Sequence, residues 1–259
     1  MKLNFHKYQG TGNDFIIIDN RASIFKHDTK IIEKLCDRKF GIGADGLMLL
    51  QNKKNYDFEM VYFNADGNES SMCGNGGRCI VAFAAKLGIV KKKYKFIAMD
   101  GEHEATISKN IISLKMLDVK GIEQGSDFYY LNTGSPHFIS FKNNIDKINL
   151  IEEARKIRYN KRFSKEGTNV NFAEIKEKEL LVRTYERGVE DETLSCGTGV
   201  TAVALCAAHK NIFDKKNQYK IKTKGGNLTV KFNKVKENSF NNIWLEGAAT
   251  FVFTGEIEI

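Results

Sequence analysis

Short apolar runs separated by turn residues occupy most of this chain, and two alanine-rich stretches interrupt them. Runs such as Phe58–Phe63 and Leu180–Tyr185 have the length and side-chain types of β-strands. Arg78–Leu87 and Val200–Lys210 are rich in alanine and predict α-helices. The order of these elements predicts an α/β (α+β) chain in which each of the two helices follows a strand.

Further elements complete the pattern after each helix and near the ends of the chain. The last segment alternates apolar and polar residues, which is typical of a strand with one buried face. The additional predicted strands are Lys95–Met99, Glu104–Ser108, Ile111–Met116, Tyr219–Thr223, Leu228–Phe232, Ile243–Glu246 and Ala249–Ile259, and the two minor helices are Thr29–Arg38 and Leu150–Arg158.

Two landmarks recur at nearly the same spacing, which indicates an internal duplication. Thr11–Ile17 is echoed by Thr133–Ile139, an offset of 122 residues (133 − 11). Cys73–Gly76 is echoed by Cys196–Gly199, an offset of 123 residues (196 − 73). We therefore predict two pseudo-symmetric domains, residues 1–118 and 119–247, divided at the polar, glycine-containing stretch Asp118–Gly125. The last strand, residues 248–259, can complete either domain by spacing alone, and we assign it to the first.

Composition narrows the class of protein. Apolar residues make up 42% and charged residues 28% of the 259 residues, the balance of a soluble globular protein. The net charge of +8 raises nucleic-acid binding as an alternative, but the lysines are scattered and no RNA- or DNA-binding signature accompanies them. No secretory signal or membrane-length apolar stretch is visible. We predict a cytoplasmic protein that binds neither nucleic acid nor membrane.

The five cysteines fall into two groups. Their odd number and the lack of a CxxC motif argue against a disulfide framework or a zinc ribbon, and fit a reducing compartment. We expect Cys36, Cys79 and Cys206 to be small packing residues. Cys73 and Cys196 are different, because each lies in a CG(N/T)G segment at the start of a predicted helix.

Helix starts give these two thiols a chemical role. A helix N-terminus lowers the pKa of a cysteine placed there and binds carboxylates through its backbone N–H groups. Inversion of a carbon centre needs a base on one face and an acid on the other, and two matched thiols meet that need. We therefore predict that Cys73 and Cys196 are the acid/base pair of a cofactor-independent amino-acid epimerase or racemase. The substrate carboxylate would lie between the two helix starts, in a cleft between the domains.

The chain resembles the diaminopimelate epimerase family nearly from end to end. Six segments carry the resemblance in order: GTGNDFIIID (Gly10–Asp19), FGIGADG (Phe40–Gly46), FNADGNESSMCGNGGRC (Phe63–Cys79), TGSPHF (Thr133–Phe138), GTNVNF (Gly167–Phe172) and YERGVEDETLSCGTG (Tyr185–Gly199). The resemblance implies a mixed or antiparallel β-sheet or barrel wrapped around a central helix in each domain. It also implies interconversion of LL- and meso-2,6-diaminopimelate without pyridoxal phosphate or a metal ion, and a homodimer.

The same resemblance assigns the site residue by residue. Cys73 matches the proton donor of the family's usual description and Cys196 the acceptor, and the two labels exchange with the direction of reaction. The residues that match substrate-binding positions are Asn13, Asn64, Gly74, Asn75, Asn169, Glu186, Arg187, Gly197 and Thr198. Among them, Arg187 suits the distal carboxylate, because a guanidinium binds a carboxylate in a fork. His137 and Glu186 match residues that tune the pKa values of the two thiols.

Some positions depart from the family's pattern. Gly46 stands where many members have glutamine, Ser135 where many have asparagine, and Asn68 where serine is usual. Another two-cysteine racemase, of the proline or hydroxyproline type, remains the alternative enzyme, although Arg187 and Glu186 fit a substrate with a second charged end. A catalytically inactive binding protein on the same scaffold is a further alternative, against which the presence of both cysteines argues.

Overall fold

A computed structural model describes residues 2–213 and 217–259 of the chain. The contacts divide it into two compact units, Met1–Leu114 with Gly247–Ile259, and Lys115–Glu246. The change from one unit to the next therefore falls a few residues before the polar stretch at Asp118–Gly125. Within the described residues, each unit combines an extended portion of the β-sheet with two α-helices.

The first unit is built on a mixed sheet. Its strands are β1 (Lys2–Gly10), β2 (Asn13–Asp19), β3 (Gly46–Gln51), β4 (Phe58–Asn64), β5 (Glu69–Ser70), β6 (Lys93–Ala98), β7 (Gly101–Ser108), β8 (Ile111–Lys115) and β18 (Thr250–Glu258). They pair in the order β18-β1-β2-β3-β4-β6-β7-β8, with β5 beside the end of β4. The pairs β2–β3 and β4–β6 are parallel and the others antiparallel. The last strand of the chain thus pairs with the first.

The second unit follows the same plan. Its strands are β9 (Glu123–Gln124), β10 (Tyr129–Asn132), β11 (Pro136–Phe141), β12 (Asn169–Lys176), β13 (Glu179–Glu186), β14 (Asp191–Thr193), β15 (Gln218–Thr223), β16 (Gly226–Lys236) and β17 (Ser239–Ala248). The pairs β11–β12 and β13–β15 are parallel, while β10–β11, β12–β13, β13–β14 and β15–β16 are antiparallel. From β1 to β7 and from β10 to β16 the types of pairing therefore repeat in the same order, as the duplicated sequence landmarks predict.

In the described part of the chain, four α-helices accompany the strands: α1 (Thr29–Cys36), α2 (Gly74–Lys86), α3 (Leu150–Arg158) and α4 (Gly197–His209), together with one 3-10 turn, Ile145–Lys147. The bounds of α3 are those predicted from the sequence. The prediction of α1 to Arg38 was too long, because Asp37 adopts an extended conformation and ends the helix. The predictions for α2 and α4 began too late, because both glycine-containing segments are helical from the residue that follows the cysteine.

Each long helix is the centre of its unit. Residues around the whole circumference of α2 are buried, and the helix packs against β1, β2, β3 and β7. α4 is buried in the same way and packs against β10 to β13, β15 and β16. A helix that is apolar on every side is stable only when it is enclosed. The expected sheet wrapped around a central helix is therefore present in both units, and it fixes the position of each helix start.

Candidate active site

The starts of α2 and α4 differ chemically from those of the two shorter helices. At α1 and α3 the side chains of Asp28 and Asn149 accept hydrogen bonds from backbone N–H groups of the first turn. The residues that precede α2 and α4 are Cys73 and Cys196, and neither makes a side-chain cap bond. Both therefore combine a thiol with the positive end of a helix dipole, an arrangement that stabilises thiolates and binds anions.

The first helix start brings together four of the predicted site residues. Cys73 is half-buried before Gly74 and Asn75, and the first intrahelical bond runs from Gly77 N to Cys73 O at 2.7 Å. Asn13, at the beginning of β2, donates from Nδ2 to Cys73 Sγ at 3.8 Å. Its other side-chain atom, Oδ1, is buried and has no hydrogen-bond partner within residues 2–213 and 217–259. A buried amide oxygen in that state is suited to a donor on a bound ligand.

The turn before Asn13 has the same backbone requirement as its counterpart in the second unit. Gly12 has φ 87° and Gly134 has φ 109°, values that favour glycine. Both follow a threonine, as the repeated Thr-Gly pair of the sequence indicates. The turns thus set the starts of β2 and β11, from which Asn13 and His137 project.

Asn64 lies at the end of β4, opposite Gly46 of β3. Its side chain is exposed, and its backbone forms a turn in which Gly67 N donates to Asn64 O at 2.9 Å. Gly46 has no room for a side chain: a Cβ atom there would lie 2.5 Å from Phe63 O and 2.6 Å from Cε2 of Tyr62. The Tyr62 ring and the Phe63 carbonyl therefore fill the space beside Gly46.

A buried cation lies below the first helix start. Arg78 is fully buried on α2, where it donates to Gly74 O at 3.1 Å and Asn75 Oδ1 at 2.9 Å. It also donates to Thr11 Oγ1 at 3.2 Å, and no carboxylate within residues 2–213 and 217–259 forms an ion pair with it. Burial lowers the pKa of the guanidinium, and the neighbouring thiols of Cys79 and Cys73 act in the opposite direction. A cation in this position favours a negative charge nearby.

The second helix start brings together a different set of groups. Cys196 is 5% exposed, and its Sγ lies 3.5 Å from Oγ1 of Thr198, the second helical residue. Thr198 Oγ1 also lies 2.9 Å from Nε2 of His137. Burial, and then the charge of Arg187, lower the pKa of His137 to about 3, so its imidazole is neutral at physiological pH. His137 is therefore an uncharged neighbour of Cys196, and its contact toward the helix start is the hydrogen bond with Thr198.

The remaining predicted residues of the second unit lie around Asn169. Asn169 Nδ2 donates to Ser135 Oγ at 2.9 Å, and Asn169 Oδ1 accepts from Arg187 N at 2.8 Å. The Arg187 guanidinium is exposed and donates to Glu166 O at 2.8 Å. Glu186 is half-buried and accepts from Thr193 Oγ1 at 3.0 Å. Ser135, one of the departures from the family pattern, is thus hydrogen-bonded to a predicted substrate-binding residue.

The other three cysteines have the expected packing role. Cys36, Cys79 and Cys206 are buried at 3%, 0% and 0% exposure. Burial raises the pKa of Cys36 and of Cys79 to about 12, and raises that of Cys206 well above its ordinary value. These thiols are protonated at neutral pH, which excludes them as bases.

Arg78 and Asn171 were not predicted as site residues, although the sequence around each of them has a pattern that indicates a buried polar residue. Arg78 is a charged residue within an apolar helix, and Asn171 lies in the buried run Asn169–Glu174 of β12. A polar residue at a position where the pattern requires an apolar one indicates a buried network. Within residues 2–213 and 217–259 there is no cluster of metal-ligating side chains, and no helix there is long and apolar enough to cross a membrane.

The fold has counterparts among solved structures. A phenazine biosynthesis protein of the PhzF family from Bacillus anthracis superposes with a TM-score of 0.74, at 16% identity and over 100% of both chains. A hydroxyproline epimerase from Agrobacterium vitis superposes with a TM-score of 0.71, at 12% identity over 99% of this chain and 92% of that one. The repeated sheet around a central helix therefore defines a protein of the two-domain α+β class to which both structures belong.

Sequence comparison specifies the family within that class. The diaminopimelate epimerase profile matches residues 5–116 and 129–252. A diaminopimelate epimerase from Flavobacterium psychrophilum is 54% identical over 97% of this chain and 98% of its own length, and one from Chlorobaculum tepidum is 42% identical over 96% and 99%. The chain belongs to the diaminopimelate epimerase family, and is an isomerase.

Proposed function

We propose that this chain interconverts LL- and meso-2,6-diaminopimelate in the formation of lysine and peptidoglycan precursors, with Cys73 and Cys196 as its two proton-transfer groups. The observation that carries the proposal is the pair of central helices that each begin after a cysteine without a side-chain cap. The family relationship supplies the substrate. The fold alone is shared with a hydroxyproline epimerase, so it does not favour one amino-acid substrate over another.

In the proposed reaction the two thiols act on opposite faces of one α-carbon. The thiolate of one cysteine takes the α-proton, and the thiol of the other delivers its own proton to the opposite face. After the reaction the first cysteine is protonated and the second is the thiolate, so the pair is ready for the reverse direction. A proton transfer of this kind typically contributes roughly 10²–10⁴-fold to a rate.

The helix starts have a second role in the proposal. The backbone N–H groups of Gly74 and Asn75 on α2, and of Gly197 and Thr198 on α4, would bind the carboxylate beside the reacting carbon. Negative charge builds toward that carboxylate as the proton leaves, and fixed backbone dipoles stabilise it without reorganising. Arg78, buried below Gly74, would add positive potential at Cys73 and favour its thiolate.

The polar side chains around the helix starts would bind the remainder of the substrate. Arg187, with its exposed guanidinium, is proposed to bind the distal carboxylate, and Glu186 to accept from the distal ammonium. Asn13, Asn64 and Asn169 are proposed to hydrogen-bond the substrate as well. The buried Oδ1 of Asn13, close to Cys73, supports that role most directly.

Incubation of the reduced protein with LL-diaminopimelate in deuterated water tests this function. Because the incoming proton comes from a thiol that exchanges with solvent, we expect epimerisation with one deuterium at the inverted α-carbon and no need for an added cofactor. L-Proline and trans-4-hydroxy-L-proline, incubated in parallel, test the alternative enzyme class. If diaminopimelate stays unchanged while either imino acid is racemised, the assignment fails in favour of that class.

Other parts of the proposal rest on the family relationship and have separate tests. The two compact units are proposed to be the two epimerase domains, and the protein is proposed to be a cytoplasmic homodimer that binds neither nucleic acid nor membrane. Light scattering of the purified protein is expected to give twice the chain mass of 29.3 kDa. A monomer with full activity would overturn the dimer without affecting the proposed reaction.

A further inference from the structure

A row of polar side chains runs below Cys196 within the second unit. His137 lies on β11 opposite Asn169 of β12, and Asn171 follows two residues later on the same strand. Thr184 of β13 lies opposite Asn171. Side chains two residues apart on a strand share a face, so His137, Asn169, Asn171 and Thr184 project from the same face of the sheet. All four are at least 95% buried, and hydrogen bonds must therefore satisfy their polar atoms.

The hydrogen bonds of Asn171 fix the orientation of its amide. Its Nδ2 donates to Phe138 O at 3.0 Å, and a carbonyl oxygen can only accept. Its Oδ1 accepts from Thr184 Oγ1 at 2.9 Å. The same Nδ2 lies 3.1 Å from Nδ1 of His137. Because that amide nitrogen is a donor, Nδ1 of the imidazole must be the acceptor.

The proton of the neutral His137 ring therefore resides on Nε2. This N–H points to Thr198 Oγ1 at 2.9 Å, so the threonine oxygen accepts from the ring. Asn169 Nδ2 lies farther away, 3.5 Å from Nε2, and directs its hydrogens to Ser135 Oγ and Pro136 O instead. With Thr198 Oγ1 accepting from His137, its own hydrogen is available to the sulfur of Cys196 at 3.5 Å.

We propose that Asn171 and His137 orient the Thr198 hydroxyl so that it donates a hydrogen bond to the Cys196 thiolate, which makes Thr198 a positioning residue for that base. The directions of the bonds from Asn171 to His137 and from His137 to Thr198 follow from the fixed donor at Asn171. When Cys196 is a thiolate it has no hydrogen to donate, so Thr198 must be the donor of the last bond. Hydrogen bonding to the charged form of a group stabilises that form. The inference rests on the proposed role of Cys196, and extends it by naming what holds the thiolate.

The packing of the first turn of α4 favours this row of hydrogen bonds. A Cβ atom on Gly199 would lie 2.5 Å from Asn171 Oδ1 and 3.4 Å from Cys196 Sγ. The helix start therefore needs glycine at this position in order to approach Asn171. Thr133 Oγ1 donates to Thr198 O at 2.9 Å and so also fixes the backbone of Thr198. The charged side chain that acts on His137 is Arg187, whose charge disfavours a second proton on the ring.

The first unit has no such chain at the matching positions. With the offset of 123 at the cysteine segments, Thr198 corresponds to Asn75, and with the offset of 122 at the Thr-Gly segments, His137 corresponds to Phe15. Asn75 Oδ1 accepts from Arg78, and the buried Phe15 ring has no polar atom to continue a hydrogen-bonded chain. Cys73 therefore provides an internal control in the same protein, because a substitution in the hydrogen-bonded chain beside Cys196 should not change the reactivity of Cys73.

Thiol alkylation in the absence of substrate tests the proposal independently of the enzyme's function. Iodoacetamide reacts with the thiolate, so the rate at each cysteine, read by peptide mass spectrometry, reports its thiolate fraction. In Thr198→Val, which keeps the shape and removes the hydroxyl, we expect alkylation of Cys196 to slow about tenfold, as for one pKa unit, with Cys73 unchanged. Thr198→Ser should restore the rate. Wild-type alkylation of Cys196 in a folded Thr198→Val protein would overturn the proposal.

A measurement on the unaltered protein checks which atoms donate in the hydrogen bonds between Asn171, His137 and Thr198. In ¹⁵N-histidine spectra of the reduced wild-type chain, His137 should have a protonated Nε2 and an unprotonated Nδ1, and His137→Gln identifies its signals. A proton on Nδ1 would reverse the chain and exclude donation from Thr198 to Cys196. Because neither experiment contains diaminopimelate, failure of the epimerase assay and failure of this inference are distinguishable.

Discussion

The helix starts at Cys73 and Cys196 have the same backbone plan and different surroundings. Both cysteines precede a buried thirteen-residue helix, and neither caps it. Below Cys73 lies a cation, Arg78, whereas the matching position in α4 is Thr201, which hydrogen-bonds to Gly197 O at 2.9 Å. Beside Cys196 lies a neutral imidazole instead. A duplicated scaffold thus surrounds two identical thiols with unlike groups: a buried cation and the Asn13 amide near Cys73, and Thr198 with a neutral imidazole near Cys196.

The difference suits a reaction in which the two thiols are never in the same state. A buried charge acts over several ångströms and tolerates small movements, whereas a hydrogen bond requires one geometry. Each cysteine is proposed to be the thiolate in one direction of the reaction. The surroundings of each can stabilise that state, by a nearby positive charge at Cys73 and by a hydrogen bond from Thr198 at Cys196.

Removal of either thiol should have the largest effect. We expect Cys73→Ala and Cys196→Ala each to lower kcat for diaminopimelate epimerisation by about 10³-fold or more, because each removes one of two proton-transfer groups. The matched control is Cys206→Ala, on the same helix as Cys196 and fully buried, which should keep its activity. Near-normal turnover in either of the first two variants would end the two-thiol proposal.

Replacement of the buried cation, Arg78, should change the reactivity of Cys73 and leave that of Cys196 unchanged. In Arg78→Met, a similar length without charge, we expect alkylation of Cys73 to slow 10- to 100-fold, about 1.4–2.7 kcal/mol, while Cys196 reacts as before. Arg78→Lys should recover part of the rate, since it restores the charge without the fork. Equal slowing at both cysteines would show that Arg78 acts on the fold as a whole. It would contradict the proposed difference between the surroundings of Cys73 and those of Cys196.

The pH dependence of stability tests whether the imidazole of His137, near Cys196, is neutral in the folded protein. The pKa of His137 in the folded protein, about 3, lies below the ordinary value of 6.5. Below pH 6.5 the unfolded chain therefore binds a proton that the folded one does not, and stability is lost progressively toward pH 3. Between pH 7 and pH 5, urea unfolding of the wild type should show a loss about 2 kcal/mol greater than in His137→Gln. Equal losses would mean that the imidazole is charged in the fold.

The smallest effect should come from the start of α1, which is capped by a side chain. Asp28 caps α1 by accepting from Ile31 N at 3.0 Å. Asp28→Ala should lower the free energy of unfolding by about 1 kcal/mol, the usual value of such a cap, with kcat unchanged. The thermal midpoint and the epimerase assay measure the two parts. A loss of activity without a loss of stability would place α1 in the site, contrary to the distinction between capped and uncapped helix starts.

The sequence predicted the repeated plan well, because strands and buried helices leave periodic patterns. It placed both cysteines at helix starts, yet it treated the glycines after them as loops. Glycine is a poor helix former by intrinsic preference. The reason that Gly199 must be glycine, its close approach to Asn171, is visible only in three dimensions. The same applies to Arg78 and to the His137 chain. Their roles depend on which side chains meet across strands, and spacing along the chain does not give those contacts.

The close fit between Gly46 and Tyr62 has an evolutionary consequence. A glutamine at position 46 would collide with the Tyr62 ring and with the carbonyl of Phe63. A side chain at position 46 therefore needs both a different position of the Tyr62 ring and a shift of the β4 backbone, so a mutation of Tyr62 alone does not make room for it. As long as β3 and β4 keep this spacing, single mutations at position 46 are expected to be selected against.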